Sequence, residues 1–134
     1  MSNLLVRSVL PDGWPHPKGY ANGVITDGPI VHVSGQVGWR ADGTFPAGFL
    51  PQVDQALRNV VAVVEAAGGR ASSIARLTWY VTDIAAYRAS LAELGPTYRA
   101  VMGRHFPAMS LVQVVALVEA EALVEIEAVA ALRA

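Results

Sequence analysis

Val53, Leu57, Val60, Val61 and Val64 recur at the spacing of one apolar helical stripe and predict a helix over about Pro51–Ala67. Pro51 suits the first turn, where its missing N–H would be unpaired in any case, and Gly68-Gly69 supplies the stop. A second helical region is expected from about Ala85 to Gly103, interrupted at Gly95-Pro96 because Pro96 cannot donate to the carbonyl four residues back. Elsewhere the pattern is that of strands. Residues 1–9 read as a short strand, and the runs Ala21–Thr26 and Ile30–Gln36 flank a turn at Asp27-Gly28-Pro29. Ile74–Thr82 concentrates β-branched and aromatic residues. Two long apolar runs, Met109–Val118 and Ala122–Leu132, predict the closing strands. The proline-rich stretch Pro11–Pro17 and the glycine-containing residues 38–49 read as loops.

The resulting order, β-β-β-α-β-α-β-β, is that of an α+β fold with one mixed sheet and two helices packed on one face. In the run Met109–Leu117 both alternating sets of residues are largely apolar, so helices are expected on one face and further copies of the chain on the other. Composition strengthens this expectation, since 53% of the residues are hydrophobic and only 16% charged. The length of 134 residues fits a single domain over 1–134. A net charge of −1 offers no basic field for nucleic acid or an anionic membrane. The absence of cysteine excludes disulfides and thiolate catalysis. No apolar run of about 18 residues spans a bilayer, and Met1–Arg7 lacks the features of a signal peptide, so a cytoplasmic location is expected. His16, His32 and His105 show no helical pairing, and neither a metal site nor a cofactor is expected.

Short motifs then narrow the reading. Gly19-Tyr20, Val33-Ser34-Gly35-Gln36, Gln55–Val60 with Val64–Gly68, Tyr80-Val81-Thr82-Asp83-Ile84, Phe106-Pro107-Ala108 and Val124–Ala130 occur in this order. Together they resemble the RidA/YjgF family of reactive-intermediate (imine and enamine) deaminases over about residues 19–132. The resemblance implies a chorismate-mutase-like fold and a homotrimer whose sheets line a central barrel, with a small-molecule pocket at each subunit interface. It also implies hydrolysis of an imine to a carbonyl compound and ammonia without a cofactor.

The same resemblance assigns the site. Glu125 matches the pocket carboxylate that serves the attacking water; the competing reading is an ion pair of Glu125 or Glu127 with an Arg of another subunit. Ser34 and Gly35 end a strand where a glycine lets backbone approach a ligand, or else they form a bulge. Tyr20 matches a pocket-wall tyrosine, or is a half-buried surface aromatic. Met109 is the departure. It stands in Phe106-Pro107-Ala108-Met109-Ser110, where the family carries the Arg that clamps the substrate carboxylate. A thioether has no bidentate donors to offer, so the pocket should favour a neutral or apolar ligand, unless Met109 merely fills the core. Leu111 extends that apolar face. Trp39, Arg104, His105 and Glu127 are further candidates, and Trp14 and Trp79 are aromatics that could join them. Arg104, His105, Arg40 and Lys18 are the cations considered as replacements for the lost Arg. A non-catalytic member binding a small ligand or a partner protein is the alternative reading.

Overall fold

A computed structural model describes residues 5–132 of the chain. In chain order the elements are β1 (Val6–Val9), β2 (Gly23–Thr26), β3 (Ile30–Val37), α1 (Phe49–Ala66), β4 (Ile74–Val81), α2 (Ile84–Ala89), α3 (Leu91–Met102), β5 (Ala108–Gln113) and β6 (Val124–Ala131). Residues 1–4 of the expected first strand lie outside the described residues. The α+β fold is as expected: β3, β6, β4 and β5 form a mixed sheet in that order, in which only the β4–β5 pair is parallel. β1 and β2 stand apart as an antiparallel ladder of their own.

The apolar stripe of α1 organises the core. Val53, Ala56, Leu57, Val60 and Val64 are buried against Leu77, Trp79 and Val81 of β4 and against Val124, Ile126, Ala128 and Ala130 of β6. The helix begins two residues before Pro51 and ends where Gly68, at φ 98°, donates to the Glu65 carbonyl and Gly69 to that of Val64.

Four further boundaries differ from the sequence reading in ways that bear on the site. The second strand starts at Gly23; Ala21 instead makes a single parallel bridge to Ala108, and its N–H donates to the Pro107 carbonyl at 3.0 Å. The second helical region breaks at Ser90 rather than at Gly95-Pro96. The Ser90 hydroxyl donates to the Ala86 and Tyr87 carbonyls and so takes up acceptors at the end of α2. Pro96 lies inside α3, where the missing Cβ of Gly95 removes the usual clash with the residue before a proline. β5 ends at Gln113, not Val118. Its partner β4 stops at Val81, and the last cross-strand bond runs from the Val114 N–H to the Val81 carbonyl. Beyond it Val115 and Val118 are fully exposed. The final strand likewise starts at Val124 rather than Ala122.

The sheet face turned away from the helices is also less apolar than expected. The β4 residues Arg76, Thr78 and Tyr80 alternate with the buried Leu77, Trp79 and Val81, and they pair in register with Val129, Glu127 and Glu125 of β6. Among the described residues no helix is long and apolar enough to cross a membrane.

Candidate ligand pocket and carboxylate face

The pleat of β5 decides where Met109 and Leu111 point. They pair with Leu77 and Trp79, both buried beneath the helices, so all four lie on the helix side of the sheet. At the free edge of β5 this side opens into a cavity of about 370 Å³. Met109, Leu111 and Trp79 form one wall, and Leu91, Leu94 and Tyr98 of α3 form the other. Tyr20 and Lys18 stand at its mouth, brought there by the Ala21–Ala108 bridge. Met109 and Leu111 also pack on the core cluster, so Met109 is core filler and pocket wall at once.

The aromatic frame is fixed by few contacts. Tyr98 stacks on Phe106 with ring centroids 5.4 Å apart, and its hydroxyl donates to the His105 carbonyl at 2.5 Å. Burial pushes the Tyr98 phenol well above its ordinary value. Trp79 is 2% exposed, and its buried indole N–H has no hydrogen-bond partner among the described residues. A buried donor left unpaired costs about 1–3 kcal/mol.

A second group of residues occupies the opposite face. The β3–β6 register shifts between Val33 and Gln36, which makes Ser34-Gly35 a bulge. The Gln36 amide donates back to the Ser34 carbonyl at 3.2 Å and to its hydroxyl at 3.3 Å. Glu125 lies across the bulge: a methyl group on Gly35 would sit 2.6 Å from the Glu125 Cδ and 2.9 Å from its Cγ. Only a glycine leaves room for that carboxylate. Among the described residues Glu125 has no ion-pair partner. Glu127, two residues on, accepts a hydrogen bond from the Tyr80 hydroxyl, which raises the Tyr80 phenol above its ordinary value. The Arg76 guanidinium donates to the Ser110 hydroxyl at 2.9 Å.

Within one chain, therefore, Tyr20, Met109 and Leu111 come together, and Ser34, Gly35 and Glu125 come together, but the two groups lie on opposite faces of the sheet. Several candidates fall elsewhere. Trp39 packs near Phe45 and lines a groove along α1, and Trp14 is 56% exposed in its loop; only Trp79 of the three tryptophans reaches the cavity. Arg104 and His105 line a neighbouring cleft under β1 and β2. The His105 ring is held to the Ile74 carbonyl at 2.6 Å. Arg40 is tied to Thr44 within its own loop. Among the described residues Lys18 is the one charged residue that lines the cavity. Tyr87, Leu91, Leu94 and Tyr98 escaped the sequence reading because, with the helix break misplaced, their facing side could not be deduced. Among the described residues no three His, Cys, Asp or Glu side chains gather as a metal site would require.

Comparison with known proteins completes the picture. The profile of the family described as Endoribonuclease L-PSP matches residues 15–132. The 2-iminobutanoate/2-iminopropanoate deaminase of Escherichia coli is 36% identical over 91 residues, covering 65% of this chain and 68% of that protein. A Yersinia pestis protein of the conserved Rid family, YyfB, superposes with a TM-score of 0.79 at 32% identity, over 96% of this chain and 99% of that one. The structure of Escherichia coli TdcF with bound serine superposes with a TM-score of 0.69 at 30% identity, again over 96% and 99%.

Proposed function

Because the chain belongs to the Endoribonuclease L-PSP family, which includes the RidA/YjgF deaminases, we propose that it binds and hydrolyses a small imine or enamine in a pocket completed by another copy of itself. Residues 1–134 act as one unit, assembled as a homotrimer. Glu125 takes a proton from water, and the water oxygen adds to the C=N carbon. The proton passes to nitrogen, and the carbinolamine collapses to a carbonyl compound with release of ammonia. The backbone around Ser34-Gly35 holds a ligand oxygen, while Tyr20, Met109 and Leu111 shape the wall. The observation that carries this reading is the Glu125 carboxylate laid over Gly35 with no ion-pair partner among the described residues.

Met109 sets the specificity. Without an Arg there, a charge-assisted pair to a 2-imino acid carboxylate is lost, a deficit of about 1.5–3 kcal/mol or roughly ten- to a hundredfold in affinity. The test is a panel of imines generated in situ with and without a carboxylate beside the C=N carbon. The wild type should prefer the series without a carboxylate at that position, and Met109→Arg should gain roughly ten- to a hundredfold on the series that has one. Glu125→Ala should lower turnover of either series by about 10²–10⁴-fold. Turnover that survives Glu125→Ala unaltered would falsify the assignment of the carboxylate. Ligand binding without conversion by the wild type would favour a binding protein instead.

A further inference from the structure

We propose that Lys18 is the specificity-determining cation of the Met109 cavity, and that the preferred ligand is an elongated monoanion: an apolar or aromatic body inside, an anionic group at the mouth. This rests on the reading of the cavity as the ligand pocket and names the substrate class for it.

Three observations carry the inference. Among the described residues Lys18 is the sole charged one lining a cavity walled by Tyr20, Trp79, Tyr98, Phe106 and Met109. Its place is fixed by backbone. Gly19, at φ 78°, turns the chain, and Ala21 is bonded to Pro107 and bridged to Ala108, so Lys18 is carried to the rim just ahead of the strand that bears Met109. The third observation is spatial. A side chain at position 109 would meet an anion against the wall, whereas Lys18 is exposed at the opening. An anion held by Lys18 is therefore displaced outward from the place an Arg at 109 would serve. The cavity of about 370 Å³ has room for a ring or a branched chain along the aromatic wall between the two positions.

The experiment is calorimetric binding of 3-phenylpropanoate and of its neutral amide, 3-phenylpropanamide, to the intact protein. Wild type should bind the carboxylate about three- to tenfold more tightly than the amide, a preference that shrinks as salt is added. Lys18→Met should abolish the preference by weakening carboxylate binding, and Lys18→Arg should keep it. A preference that persists in Lys18→Met, an absent preference in wild type, or failure of both probes to bind wild type overturns the proposal. These readouts do not depend on turnover. Absent imine hydrolysis with the preference intact would sink only the hydrolase reading, and intact hydrolysis without the preference would sink only the assignment of Lys18.

Discussion

Gly35 and Glu125 behave as a single device. The missing Cβ of Gly35 creates the space into which the carboxylate folds, so the effect of filling that space can be stated in advance. Gly35 does not have a positive φ, so Gly35→Ala strains no backbone and instead evicts the end of a side chain. Stability should change by less than about 1 kcal/mol, while turnover should fall nearly as far as in Glu125→Ala. Comparing thermal unfolding with initial rates separates the two, and full activity in Gly35→Ala would show that the position of Glu125 is unimportant. Tyr98 offers a prediction in pH. Burial raises its phenol in the folded state, while the unfolded tyrosine ionises near pH 10. The stability that depends on the protonated phenol is thus complete below about pH 10 and is lost as pH rises from there toward the higher folded value. Tyr98→Phe should cost about 1 kcal/mol near neutral pH, through loss of the bond to His105, and should flatten the alkaline decline. The strand positions of Gly35, Met109 and Glu125 were legible from short motifs, because alternation along a strand is set by neighbours close in sequence. Trp79 was not: whether an indole N–H finds an acceptor depends on chains far apart in sequence, and nothing in Leu77-Thr78-Trp79-Tyr80 reports it.

Among the elements, the periodic ones were read well and the ones bounded by side-chain hydrogen bonds were not. The stripe of α1 announced its buried face, but the start of that helix is held by Gln52, a polar residue with 3% exposure. Its amide nitrogen donates to the Pro46 and Glu121 carbonyls at 3.2 and 3.0 Å, and its oxygen accepts from the Leu123 N–H at 2.8 Å. Those partners lie 69 and 71 residues away for Glu121 and Leu123, so composition alone gives no hint of the clasp. Gln52→Leu would leave three backbone groups unpaired, and a loss of about 2–4 kcal/mol is expected in chemical denaturation. A loss below about 0.5 kcal/mol would show that water replaces the clasp at no cost. The same physics explains the break at Ser90, where a hydroxyl outcompetes the backbone, and the early end of β5, where a run of apolar residues outlasts its partner strand. Apolar character was necessary for that strand but the ladder set its length.

At the scale of the whole molecule, the sheet separates side chains that the proposed function needs together. Glu125 faces away from the helices and Met109 faces toward them, so no ligand in one chain's cavity meets that chain's own Glu125 without crossing the sheet. The expectation of self-association came from an apolar second face. That face carries Arg76, Thr78, Tyr80, Glu125 and Glu127 beside the apolar Val112 and Val129, and Val115 and Val118 are uncovered in the loop after β5. Assembly is therefore proposed on different grounds: a neighbour's Glu125 completes the cavity. Mixing two disabled variants tests this. Glu125→Ala lacks the carboxylate, and a variant with Met109 and Leu111 both changed to Trp lacks the cavity; each homo-oligomer should be inactive. If every site combines the carboxylate of one chain with the cavity of the next, random reassembly of equal amounts restores about a quarter of the sites, since each intact half is drawn independently. Unfolding and refolding the mixture should therefore recover about a quarter of wild-type turnover, whereas refolding each variant alone recovers none. If the mixture stays inactive while sedimentation shows mixed oligomers, each chain must instead supply both halves of its own site.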